Sequence, residues 1–225
     1  MSIQYQAVKD RDRYHQYFDA EPPKEMGAHE LIPGYQGSFI RRHPDAERDD
    51  DSAPQRQALL GRFGLATPWA QDVDSDYKYL AIVRSEPAAC LAPTKDVWRR
   101  AQPCIIPAES FYKKNVLQGE NGLKHVSRAS GKPMGIAGLW SANKSPQGAV
   151  VHQYALLTIN ADDHPLMRNF YWGKYERRMV LILPEVDYDS WLDIRPMQRL
   201  EFIQNCPVAA LKATPPFKSR ATQRL

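Results

Sequence analysis

Short apolar runs separated by polar turns dominate this chain. Cys104–Ile106, Met134–Trp140 (MGIAGLW) and Tyr154–Asn160 (YALLTIN) read as three clear strands, and Met179–Leu183 (MVLIL) as a fourth. The last is apolar at every position, the pattern of a strand buried on both faces. Ile3, Tyr5 and Ala7 alternate along residues 1–7, which predicts a strand at the start of the chain. Leu31–Arg42 predicts a turn at Pro33-Gly34 feeding a strand through Phe39 and Ile40, and Leu59–Leu65 resumes a strand before a turn ended by Trp69. Helical spacing places Tyr14, Tyr17 and Phe18 on one face of Asp10–Asp19, stopped by Pro22-Pro23. Further helices are predicted near Lys95–Ala101 with Thr94 as N-cap, after Pro184-Glu185 through Tyr188, Trp191 and Leu192, and over Pro196–Ile203.

The intervening segments are polar. Residues 43–56 (HPDAERDDDSAPQR) are charged and aperiodic, and read as a surface loop or a flexible excursion. Asn115–Lys132, with Gly119, Asn121, Gly122 and Gly131, is a hairpin-like excursion, and the tail over 214–225 is Pro- and Lys/Arg-rich and loosely packed. Many short strands, a few helices and no βαβ alternation predict an α+β fold over residues 1–225. Its core is a curved mixed or antiparallel β-sheet or barrel with peripheral helices.

Composition narrows the class without naming the function. A chain of 225 residues with 43% hydrophobic content can bury one core, at most two. The net charge of +4 and pI of about 8.9 suit a polyanionic partner without demanding one. Cys90, Cys104 and Cys206 are far apart, odd in number and form no ligand pattern, so a reduced cytoplasmic setting and no metal are expected. The polar N-terminus lacks an apolar signal region, and no stretch is long enough to span a bilayer. No phosphate-cradling glycine motif is present, so no nucleotide cofactor is expected.

One carboxylate stands out. In Cys104-Ile-Ile-Pro-Ala-Glu109-Ser-Phe-Tyr112 a strand-like apolar run delivers Glu109 and then resumes with aromatics. A carboxylate in apolar surroundings is costly to ionise and moves toward the range useful for proton transfer. A strand end whose Glu turns to solvent fits the same residues.

A series of segments in fixed order then resembles one family: the N-terminal MSIQY, RFGLATPWA (Arg62–Ala70), IVRSEP (Ile82–Pro87), VWRRAQPCIIPAESFYK (Val97–Lys113), GIAGLW (Gly135–Trp140) and LLTINADDHPLMRNFYWGKYERRMVLILP (Leu156–Pro184). Together they resemble the SRAP family, the SOS response-associated peptidase or abasic-site-processing domain. The resemblance runs from Met1 to about residue 195. It implies binding of single-stranded DNA and reaction with the aldehyde of an abasic site. In that family a cysteine exposed by Met removal forms a thiazolidine with the opened sugar, and a glutamate, a histidine and an asparagine assist. The resemblance implies Glu109 for the glutamate. Here Ser2 stands where the family has its cysteine, Ile82 where it has the asparagine, and Tyr171 or, with a shift, Glu176 where it has the histidine. His164 belongs to the HPLM element, with capping and packing as its expected work.

These replacements change the expected chemistry. The Ser2 hydroxyl is a far weaker nucleophile than a thiolate, so a stable crosslink is not expected. Its α-amine, with an ordinary pKa near ~7.7–8.0, can still attack an aldehyde reversibly. The expected catalytic set is therefore Ser2, Glu109 and Tyr171. With only Met1 ahead of Ser2, little self-processing is left for a peptidase to do. For DNA contact, Trp69 and Phe63 occupy places of two family tryptophans. Arg84, Arg41, Arg42, Arg168, Lys174, Arg177 and Arg178 are expected to line one face, with Asp49-Asp50-Asp51 elsewhere. The competing expectation is a catalytically inactive member whose pocket holds a small molecule or a protein partner.

Overall fold

The computed structural model describes residues 4–46, 54–65, 80–86, 95–115, 122–145, 147–170 and 176–214. In chain order the elements are β1 (Tyr5–Ala7), α1 (Arg11–Phe18), β2 (Glu30–Leu31), β3 (Gln36–Arg42), β4 (Arg56–Phe63), β5 (Ile82–Arg84), α2 (Lys95–Arg100), β6 (Gln102–Asn115), β7 (Gly122–Arg128), β8 (Met134–Lys144), β9 (Val150–Asn160), β10 (Arg178–Val180), β11 (Ile182–Leu183), α3 (Tyr188–Leu192), α4 (Arg199–Asn205) and β12 (Leu211–Thr214). Among the described residues no helix is long and apolar enough to cross a membrane.

Strands β3, β4, β9, β8 and β6 close on themselves. β3 pairs with β4, β4 with β9, β9 with β8, β8 with β6, and β6 returns to β3 through Ile40 opposite Ile105. Most pairs are antiparallel, while β4 and β5 run parallel to β9. The fold is thus a mixed β-barrel with added strands and few short helices, as the strand-rich pattern predicts.

Both faces of the barrel wall are apolar, which explains the continuous apolar runs. Tyr154 and Leu156 point into an interior cluster with Tyr5, Phe63, Phe111 and Met134. Ala155 and Leu157 point outward, into a second cluster beneath α1, α2 and α3. There Phe18 stacks on Tyr188, and the Trp191 indole donates to the Cys104 carbonyl over 2.9 Å. Helix α1 begins where Asp10 accepts from the Arg13 amide and ends at Asp19 in the left-handed region (φ 47°). Gly138 of β8 is required by close approach: a Cβ there would lie 2.6 Å from the Ala155 carbonyl oxygen.

Three expectations change. The Cys104–Ile106 strand is the early part of a much longer β6, and the polar excursion over Asn115–Lys132 contains β7, paired with β6 and with β12. Met179–Leu183 is two strands. The ladder between β8 and β9 ends at Gly138 and Leu156, and the run enters the fork, with Arg178–Val180 on β9 and Ile182–Leu183 on β8. Of the expected tail, Thr214 ends β12 and the residues after it lie outside the described ones.

One irregularity governs the site. Gln6 pairs with Ser110 but Ala7 pairs with Ala108, so Glu109 is an extra residue in β6, a β-bulge. Cys104, Ile106 and Ala108 face the interior before it, and Phe111 faces the interior after it. The inward parity shifts by one residue at Glu109, and Lys113 becomes the next inward position after Phe111.

Candidate functional site

The ends of β6 and β9, the start of β10 and strand β5 meet at one mouth of the barrel. Arg178, only 1% exposed, organises it. Its Nη2 donates to Glu86 Oε2 over 2.7 Å and to the Thr158 carbonyl over 2.5 Å, Nε donates to Thr158 Oγ1 over 3.1 Å, and Nη1 to Glu176 Oε1 over 3.2 Å. A buried guanidinium is tolerated only with its donors matched in this way. Glu86 also accepts from the Asn160 amide over 2.9 Å, and the Asn160 side chain donates to Glu176 over 2.7 Å and to Asp162 over 3.0 Å. The Asn160 hydrogen bond, with help from Arg177, holds the Asp162 carboxyl below the usual carboxylate range.

Lys113 points into the same mouth. It is 3% exposed, and its Nζ donates to the Arg178 carbonyl over 2.7 Å. It lies opposite Lys124 in the β6–β7 register, with Nζ 6.0 Å from the Phe111 ring centroid. Burial, and then the Arg178 charge, lower its pKa to about 7. Gln4, the first described residue, accepts at its carbonyl from the Tyr112 amide over 2.8 Å, which brings the beginning of the chain alongside Lys113.

Glu109 lies elsewhere. At the bulge its carboxylate turns to α1, where Arg13 Nε donates to Oε1 over 2.8 Å and Arg13 Nη2 to Oε2 over 3.2 Å. Arg13 also donates to the Gly131 carbonyl over 2.6 Å and stacks over the Tyr17 ring at 5.2 Å. A partly exposed, bidentate ion pair replaces the apolar surroundings that the sequence suggests. Alternation from Ile106 and Ala108 already sets Glu109 on the outer side, toward α1; the sequence does not show that Arg13 meets it there.

The expected DNA-contacting residues are not gathered on one face. Arg84 and Arg177 rim the mouth: Arg84 Nη1 is 3.7 Å from Glu176, and Arg177 pairs with Asp162 at 3.3 Å. Arg168 is exposed and makes no contact with this network among the described residues. Arg178 belongs to the mouth but is 1% exposed and makes four hydrogen bonds within it, so it is not presented to a phosphate. Arg41 lies toward the other end of β6, donating to Gln57 and stacking over Trp140 at 5.0 Å, and Arg42 pairs with Asp193 at 3.1 Å. Phe63 is fully buried, stacked on Tyr154 at 5.5 Å and edge-on to Tyr5 at 5.4 Å, so neither ring face is open to a base. His164 does cap: Nδ1 accepts from the amides of Leu166 and Met167 over 3.1 and 3.2 Å. Ser2, Trp69, Tyr171, Lys174 and Asp49-Asp50-Asp51 lie outside the described residues. Sequence reasoning missed Lys113 and Glu86. The available signal for Lys113 was its place two residues after an inward aromatic in a long apolar strand.

Comparison with known proteins shows what the chain is similar to. The model of the family described as SOS response associated peptidase (SRAP) matches residues 1–217. The chain is 27% identical over 148 residues to abasic site processing protein YoqW of Bacillus subtilis (strain 168), a stretch covering 64% of this chain. It is likewise 27% identical over 148 residues to abasic site processing protein YoaM of the same organism. In both cases the match spans 60% of the relative's length. A crystal structure of a protein from Bordetella bronchiseptica is 36% identical, with a TM-score of 0.80, over 94% of this chain and 98% of that one. A protein from Bacteroides thetaiotaomicron shares the fold at 11% identity, with a TM-score of 0.67 over 94% of this chain and 90% of that one.

Proposed function

Because the chain belongs to the SOS response-associated peptidase (SRAP) family, we propose that it binds single-stranded DNA at the barrel mouth and acts at abasic sites. The observation that carries the reading is the juxtaposition of three features: a polar network around Arg178, a rim bearing Arg84 and Arg177, and Gln4 held beside Tyr112. An electropositive rim holds the phosphates, and an opened sugar presents its aldehyde to the mouth. The Ser2 α-amine attacks that aldehyde reversibly, and Tyr171 assists. Glu109 stays with Arg13 and serves the fold, and Glu176, already held by Arg178 and Asn160, orders the rim. A stable crosslink does not form, since no thiol stands at position 2.

The test is fluorescence anisotropy on single-stranded oligonucleotides with and without one abasic site, followed by borohydride trapping. Salt-sensitive binding and an adduct that requires borohydride are expected. No binding at low salt on either oligonucleotide removes the reading, and an adduct stable without reductant contradicts the amine chemistry.

One observation favours a second reading, a non-catalytic pocket for a small molecule or a protein partner. Glu86, Glu176 and Asp162 offset the arginines at the mouth, leaving it less positive than the arginines alone would make it. Binding that ignores salt would favour this alternative.

A further inference from the structure

Lys113 has no part in the chemistry assigned to Ser2, yet its position is hard to explain as packing. A lysine whose stem and head are both buried gives up the hydration that its ammonium normally keeps by reaching to solvent. Here Nζ is turned into the mouth, against the Arg178 carbonyl, with the Arg178 charge close enough to act on it. The Arg178 charge, like burial itself, favours the uncharged amine, whose lone pair is nucleophilic. Lys95 and Lys212, in contrast, are exposed. We propose that Lys113 is a second amine nucleophile of the site, forming an imine with the aldehyde of an opened deoxyribose. The proposal rests on the abasic-site reading only for the identity of the aldehyde.

The step balances simply. The Lys113 nitrogen adds to the carbonyl carbon, giving a carbinolamine. The carbonyl oxygen then leaves as water with the two amine hydrogens, and a carbon–nitrogen double bond remains. Water reverses the step, and added hydride fixes it as a secondary amine. Burial limits the reaction to an aldehyde that enters the mouth and displaces the Nζ contact with the Arg178 carbonyl. A sugar aldehyde with a flanking phosphate suits a mouth rimmed by Arg84 and Arg177.

The experiment uses the full chain with 2-deoxyribose 5-phosphate and cyanoborohydride at pH 7, with fragment-ion mapping to separate Lys113 from Lys114. An ordinary surface lysine is neutral in only about one molecule in a few thousand at this pH, so labelling of Lys113 at least about tenfold above Lys95 and Lys212 is expected. Labelling no greater than at those lysines, in folded protein, overturns the proposal. Lys113→Arg and Lys113→Met should each remove the extra label while keeping the folded circular dichroism spectrum. A parallel arm traps the protein on an abasic oligonucleotide with borohydride. An adduct mapped to Lys113 supports the proposal, and one confined to the α-amine overturns it while the abasic-site reading survives. If DNA is not bound yet the sugar phosphate labels Lys113, the nucleophile stands and the DNA reading falls.

Discussion

Removing the Lys113 charge should change how stability depends on pH. In the unfolded chain the ammonium titrates near 10.5, and in the folded chain near 7. The folded pKa is the lower one, so the unfolded state binds more protons between these values and stability rises with pH across that window. Below about pH 7 both states are protonated and the full penalty of a buried charge applies. The difference between 10.5 and about 7 corresponds to about 5 kcal/mol over the whole window. Between pH 6 and pH 9 the gain is about 2–3 kcal/mol, or roughly 5–10 °C in Tm for a chain of this size. Lys113→Met removes the group while keeping a similar length of apolar stem. Thermal unfolding of both proteins, measured at half-unit steps from pH 6 to pH 9, isolates its contribution. The wild-type Tm should climb relative to that of Lys113→Met, and the variant should be the more stable protein at pH 6. Parallel curves across the range would show that the amine is hydrated and ordinary, and the argument for its reactivity would go with them.

Other expectations follow from the same geometry. Arg84→Gln with Arg177→Gln should weaken single-stranded DNA binding and lower the slope of log affinity against log salt by about 0.7 for each lost phosphate contact; an unchanged slope would place the DNA elsewhere. Glu109→Gln disrupts a partly exposed ion pair, so urea denaturation should show a loss of about 1 kcal/mol or less. The same variant should leave the trapped adduct yield intact, whereas a fall of about a hundredfold would return Glu109 to proton transfer. Phe63→Ala should destabilise by about 3–5 kcal/mol through a core cavity. If it instead abolished DNA binding in stably folded protein, Phe63 would have to be a stacking platform. Trp191→Phe leaves the buried Cys104 carbonyl without its indole donor and should cost about 1–3 kcal/mol in denaturant titration, without moving DNA affinity.

The legible part of this fold is the part governed by simple alternation. YALLTIN and GIAGLW announce strands with two buried faces, and Tyr14 and Phe18 announce the apolar stripe of α1. What alternation could not show is where the barrel breaks its own rule. MVLIL reads as one strand because its apolar character is unbroken, yet its two halves serve different neighbours where β8 and β9 separate. A local pattern carries no record of such a fork. The candidate site was obscured in the same way. Reading β6 with a strict period of two from Ile106 puts Ala108, Ser110 and Tyr112 inside, and Glu109, Phe111 and Lys113 outside. The bulge reverses this assignment for every residue after Glu109, sending Phe111 and Lys113 in and leaving Tyr112 to donate to Glu30 over 2.8 Å. A single extra residue therefore moves a lysine from a solvated face to the interior, while Glu109 stays on the outer side against α1. The arginine beside that lysine was equally ambiguous. Arg177 and Arg178 are adjacent and identical in type, but only the second falls on the inward position of β10, so one remains at the rim while the other becomes the hub holding Glu86, Glu176 and Thr158 together. Function in this molecule is thus decided less by which charged residues the sequence carries than by which side of a strand each one occupies. That property depends on the bulge and the fork, both set by pairings between segments far apart in the chain.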